Sequence, residues 1–174
     1  MNRLCVRETI QFMKKCHGDQ LPQSGEPFYS HPMAVAEILL METKDSNPII
    51  AALLHDVVED SKVPLSYIKA RFGHDVASIV SKVTHMSATF RKKKLTKEEN
   101  EALLRSFKGG DIRPIQVKLS DRLHNVRTLK YRPIEKQIKV AEQTLNFYVP
   151  FAESVGVTQL TAEIRKLCEE ILQN

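Results

Sequence analysis

The stretch "IIAALLHDVVED", residues 49–60, decides how this chain folds. Six apolar residues run without any apolar–polar alternation, and a histidine and three carboxylates then crowd into the last six positions. Asn47-Pro48 just ahead reads as a helix cap followed by a first turn, where a missing N–H costs nothing. A helix that is apolar around much of its circumference belongs at the centre of a helical domain. His55 and Glu59 are four apart, Asp56 and Asp60 four apart, and Asp56 and Glu59 three apart, so helical winding brings them to neighbouring faces. His55 and Asp56 diverge by about 100°, yet both can reach one ion lying beside the helix. Three ionised carboxylates on a mostly buried turn are costly unless compensated. A divalent cation would compensate them; an exposed last turn with solvated charges is the alternative.

The rest of the chain repeats the helical spacing. Val6, Ile10 and Met13 form one stripe, and Leu65, Ile68 and Phe72 form another that stops at Gly73. Val76, Ile79, Val80 and Val83 follow. Residues 19–30 carry the Pro, Gly and Ser of a loop, and Pro32 suits the first turn of a helix through Leu40. Thr96 with Glu99 fits a capping box ahead of Leu103, Leu104 and Phe107. Ile115, Leu119, Val126 and Leu129 mark a further helix. One more should start near Pro133 and bend or break at Pro150. The last runs from about Thr158, with Leu160, Ile164, Leu167 and Ile171 inward. Strand-like alternation is nowhere sustained. The expectation is one all-α domain over 1–174, of about nine or ten helices.

Composition agrees. A chain of 174 residues with 42% apolar residues can bury a substantial core. Tryptophan is absent and aromatics are only 6%, which favours helices over a β-sandwich. Cys5, Cys16 and Cys168 are odd in number and widely spaced, so reduced thiols are expected. The polar start argues against a signal peptide, and no run of about 18 apolar residues offers a membrane span. A cytoplasmic protein with no membrane partner is expected. The net charge is +5, and "RKKKLTK" at 91–97 alone carries five positive charges, so the basicity is local. That run is either a solvated loop or a rim attracting a phosphorylated ligand. Only Phe90 adjoins it, and no groove-tracking charge pattern exists, which speaks against nucleic acid. The oligomeric state is left open.

A metal at residues 55–60 needs more ligands. His31 in "FYSHP" sits at a loop-to-helix junction, where a histidine can equally be a cap. Asp121 in "KLSDRLHN" lies in an apolar helix pattern, where an aspartate is also commonly a cap or an ion-pair partner. With His55 and Asp56 these residues would give two imidazoles and two carboxylates, a set suited to Mn²⁺, Fe²⁺ or Zn²⁺ rather than Mg²⁺ or Ca²⁺.

"HDVVED" resembles the H-D-x-x-E-D signature of the alarmone hydrolase branch of the HD superfamily, the hydrolase domain of RelA/SpoT-type enzymes. "HGDQ", "SGEPFYSHPMAVAEIL", "AALLHDVVEDS", "FGHDVASIVSKVTHMS", "IQVKLSDRLHNVRTL" and "YVPFAESVGVTQLTAEI" resemble successive blocks of that family in order, over essentially the whole chain. The resemblance implies that His31, His55, Asp56 and Asp121 bind one Mn²⁺, and that Glu59 and Asp60 position and activate the attacking water. It implies a small nucleotide as partner and hydrolysis of a 3′-pyrophosphate, turning ppGpp into GDP and pyrophosphate. It further implies ribose or phosphate contacts from Asn125 and Thr128, with Tyr148 lining the pocket and Gln23 and Phe28 on its base-binding side. His124 is given a structural role; His17, His74 and His85 read as ordinary helix or loop histidines.

The base-recognition side departs from the family. Pro22-Gln23 replaces an Arg-Lys pair, Phe28 stands for the usual Tyr, and His85 stands for a Lys. Proline offers neither cation–π attraction nor charge. Three readings follow: a (p)ppGpp 3′-pyrophosphohydrolase, an HD phosphohydrolase for another nucleotide such as an adenine alarmone or NADPH, and a non-catalytic alarmone-binding module. If the basic run supplies the missing charge, alanine at Lys92, Lys93 and Lys94 should raise KM more than it lowers kcat. Steady-state kinetics check this, and an unchanged KM removes that role.

Overall fold

The computed structural model describes residues 3–17, 27, 29–61, 63–91 and 110–173, with the side chains of 3, 4, 90 and 91 excepted. Helices α1 (Arg3–His17), α2 (Ser30–Glu42), α3 (Ser46–Asp60), α4 (Leu65–Phe72) and α5 (His74–Arg91) come first. Then follow α6 (Arg113–Arg127), a 3₁₀ turn (Leu129–Tyr131), α7 (Ile134–Gln143), a π turn (Thr144–Tyr148), α8 (Val149–Ser154) and α9 (Thr161–Gln173). No strand occurs among the described residues, so the fold is all-α. The chain divides into two units, Met1–Met86 and Ser87–Asn174.

In the first unit α3 packs against both α1 and α2. Nine of its residues are buried, Pro48 through His55 together with Val57. Continuous apolarity is what allows a helix to be covered on several sides at once. Its cap differs from expectation: Asp45, not Asn47, is the N-cap, and its carboxylate accepts from the Asn47 N–H at 3.0 Å. Asn47 is free of capping because its side chain donates to Asp75 at the start of α5. Phe12 of α1 stacks on Tyr67 and meets Phe72, ring centroids 5.5 Å apart in each case, which ties α4 to α1.

In the second unit α9 packs against α6, α7 and α8. Ile164 and Cys168 are fully buried there, and Arg127 and Arg165 bond Glu163 and Glu153 on the exposed edges. Burial raises the Cys168 thiol pKa, against a hydrogen bond with Thr144, and all three cysteines are free.

Of the bend or break expected at Pro150, the break does not occur. The Val149 N–H bonds the Thr144 carbonyl in a widened turn, and helix continues to Ser154. The extra residue in that turn makes room for the proline ring, which would otherwise clash with the preceding helix. Residues 134–154 are therefore one continuous rod, and the described residues form eight rods rather than nine or ten. The helix expected after Thr96 lies outside the described residues. No described helix is long and apolar enough to cross a membrane.

Leu54 is fully buried in α3. Leu54→Ala should lower the unfolding free energy by about 2–5 kcal/mol in a urea titration; a loss under about 1 kcal/mol would contradict this place in the core.

Candidate metal centre

Helix α3 delivers His55 and Asp56 on consecutive residues, and α2 delivers His31 from its second position. Asp56 faces both imidazoles, one with each oxygen. Its Oδ1 lies 3.0 Å from His55 Nε2 and its Oδ2 lies 3.5 Å from His31 Nε2. The two rings are 5.5 Å apart, and one ligand atom from each of the three residues lies within 4.8 Å of the others. His55 is 1% exposed.

The chemistry of this trio follows from one hydrogen bond. His55 Nδ1 lies 2.7 Å from the Ala52 carbonyl, and a carbonyl only accepts, so Nδ1 carries the proton. In the neutral ring, Nε2 then presents a bare lone pair. That atom is buried and makes no aligned hydrogen bond, even though Asp56 Oδ1 is close. Two acceptors facing each other at 3.0 Å repel unless a proton or a metal cation sits with them. The donor set fits a first-row divalent ion, and the backbone carbonyl plays the usual part of the outer partner that fixes a ligating imidazole. Glu59 and Asp60 occupy the last turn of α3, Glu59 partly buried and Asp60 exposed.

Asp121 belongs to the second unit, on α6. It is 5% exposed and both its oxygens are engaged: Oδ2 accepts from Lys118 Nζ at 2.6 Å and Oδ1 from Asn125 Nδ2 at 2.6 Å. Lys118 also donates to Ser87 Oγ at 2.7 Å. Burial pushes the Lys118 pKa down, but the charges of Asp121 and Tyr148 and the Asp121 hydrogen bond outweigh it, so the ammonium ends above its usual range. Thr128 caps α6 with its hydroxyl donating to the His124 and Asn125 carbonyls. Tyr148 is buried, with the Arg122 guanidinium 3.7 Å from its ring centre. Gln23 and Phe28, Pro22, and the basic residues 92–97 lie outside the described residues.

A family model described as HD domain matches residues 9–158. The chain belongs to the HD-domain family. Among curated relatives, a guanosine-3′,5′-bis(diphosphate) 3′-pyrophosphohydrolase of Aquifex aeolicus is 40% identical over 159 residues, covering 91% of this chain and 23% of the relative. A probable enzyme of the same name from Synechocystis is 39% identical over 164 residues, covering 93% and 21%. The bifunctional (p)ppGpp synthase/hydrolase SpoT of Escherichia coli is 36% identical over 168 residues, covering 96% and 24%. The chain thus spans less than a quarter of the length of these relatives. A solved structure of a metazoan ortholog of SpoT that hydrolyzes ppGpp shares the fold, with a TM-score of 0.65 and 23% identity over 99% of this chain and 96% of that one.

Within this HD domain, the sequence pattern pointed to three residues that the fold brings together, His31, His55 and Asp56. Two others deserved more weight than the motif gave them. His17 is a helix histidine as expected, at the end of α1, but it is buried and feels the charges of Asp56, Asp60, His55 and His31. Its position extends the stripe of Val6, Ile10 and Met13 by one more turn, which is the signal that could have found it. Lys118 shares the 3.6-residue stripe of Asp121 and Asn125.

Burial lowers the His17 pKa, against the raising influence of Asp56 and Asp60. As pH falls through about 6.5, the unfolded chain therefore takes up the proton before the folded one. This group's stabilisation is complete above that pH and is lost below it, at up to about 1.4 kcal/mol per pH unit, until the folded ring also protonates. In chelator-treated protein, His17→Gln should flatten the fall in urea midpoint from pH 7.5 to 5 relative to the parent. Equal slopes would contradict the depressed value.

Proposed function

We propose that this chain is a divalent-metal-dependent phosphohydrolase that removes the 3′-pyrophosphate of (p)ppGpp, with Mn²⁺ as its ion. The observation that carries the reading is the bare, buried Nε2 of His55 beside Asp56 and His31, a trio that is stable with a cation and strained without one. The names of the curated relatives support the substrate. Asp121 enters the ligand set on the resemblance of its sequence block alone. Residues 1–174 are taken as one HD-type domain, which the 150-residue span of the family match supports.

In the proposed chemistry His31, His55, Asp56 and Asp121 hold the ion. When bound, it acidifies water and offsets the charge that grows on the phosphate oxygens. Glu59 and Asp60, about one turn beyond the His55-Asp56 pair, orient the attacking water and accept its proton. They then return a proton to the leaving 3′-oxygen. Water attacks the phosphorus bonded to the ribose 3′-oxygen as that P–O bond breaks and the 3′-oxygen takes a proton, so ppGpp and water give GDP and pyrophosphate. pppGpp gives GTP and pyrophosphate in the same way. Asn125, Thr128, Tyr148, Gln23 and Phe28 are assigned to the nucleotide on the resemblance.

A second reading keeps the chemistry and changes the nucleotide. Pro22-Gln23 in place of Arg-Lys favours it, because neither residue supplies the guanidinium stack or the ammonium. A pure binding module has little use for the Glu59-Asp60 pair. Metal-loaded protein incubated with ppGpp, pppGpp, their adenine analogues and NADPH separates these readings by its products. GDP and pyrophosphate from ppGpp are expected; turnover of another nucleotide but not ppGpp establishes the second reading; binding without hydrolysis under any divalent ion establishes the module. Glu59→Gln should lower kcat by about 10²–10⁴-fold while leaving Mn²⁺ affinity nearly unchanged.

A further inference from the structure

Both oxygens of the Asp121 carboxylate accept hydrogen bonds from side chains of its own helix. Lys118 holds Oδ2 and Asn125 holds Oδ1, each at 2.6 Å, three residues before and four after it on the same helix. That spacing puts all three side chains on one face of α6, so the helix itself builds the arrangement. Lys118 is in turn fixed by Ser87 of α5 at 2.7 Å, and it is only 7% exposed. Each carboxylate oxygen carries two lone pairs, so a hydrogen bond to an oxygen and a bond from it to an ion are compatible. With each oxygen held by a different side chain of the helix, rotation of the carboxylate is restrained.

We infer that Asn125 and the Ser87-anchored Lys118 form a clamp that positions Asp121 for the divalent ion, so that Asn125 acts on the metal centre and not on the nucleotide alone. The inference rests on the reading of Asp121 as a ligand. It changes the meaning of Asn125, which the sequence pattern gives only a ribose or phosphate contact. A residue that merely touches the nucleotide has no influence on the ion when no nucleotide is present. A residue that orients a ligand does, and loss of such outer partners commonly weakens metal binding about 10–100-fold.

The test is a titration of the chelator-treated full chain with Mn²⁺ and no nucleotide, following free Mn²⁺ by electron paramagnetic resonance. Lys118→Met leaves a buried carboxylate without its counter-charge and can unfold the protein, so the informative variants are Asn125→Ala and Ser87→Ala, which change no charge. Each should weaken Mn²⁺ binding about 10-fold, with cooperative thermal unfolding retained in the metal-free protein. Asn125→Asp, which exchanges the donor for a second acceptor, should weaken it at least as much as alanine does if the amide proton matters. Parental Mn²⁺ affinity in Asn125→Ala and Ser87→Ala, with only KM raised, overturns the clamp. Asp121→Ala separates the two levels of the argument. If it loses Mn²⁺ while the clamp variants keep it, the ligand reading stands and the clamp fails. If it binds Mn²⁺ as the parent does, the ligand reading fails and takes the clamp with it.

Discussion

The hydrogen bond from His55 Nδ1 to the Ala52 carbonyl governs the chemistry of the first unit. A buried imidazole without it could place its proton on either nitrogen. With it, one tautomer is selected and the opposite nitrogen is turned towards Asp56. The bond is made within one turn of α3, so it needs no distant partner and forms as soon as the helix does. It also uses a carbonyl that already serves the helix ladder, accepting on a second lone pair.

The two units manage buried charge by different means. Around Asp121 a lysine and an amide bond the carboxylate from the same helix, and a serine hydroxyl holds the lysine in turn. The carboxylate of Asp56 instead faces two imidazoles, groups that change charge with their surroundings. Asp56 thus meets rings that can turn a lone pair beside it, where Asp121 meets a fixed positive charge. Leaving that position to histidines keeps it responsive, and the cost is a cluster that is poorly balanced when alone.

Much of this was legible in the residues. The apolar run at 49–54 is too long and too uniform for an alternating strand, so its helix and its burial follow from pattern alone. The pairing of His55 with Asp56 follows from the motif, and the loop-to-helix position of His31 agrees with α2. What the pattern hid were choices between competing polar groups. Asp45 and Asn47 are both good caps, and only the presence of Asp75 decides which one is used elsewhere. Pro150 is a helix breaker by local rules, yet one added residue in the preceding turn removes the clash. His17 and Lys118 were passed over because polar residues at apolar positions look like interruptions of a stripe, although burial makes them part of it. Gln23 and Phe28, expected on the base-binding side of the pocket, lie outside the described residues.

The cap at Asp45 and the His55-Asp56 pair lie ten and eleven residues apart on a single helix, and that interval has a bearing on which changes the segment can accept. Exchanging one aliphatic side chain for another inside it alters packing but leaves the direction of the pair untouched. Adding or deleting one residue turns both side chains by roughly 100° about the helix axis and takes Asp56 away from His31. The identity of the residues in this segment is therefore negotiable over evolutionary time, whereas their number is not.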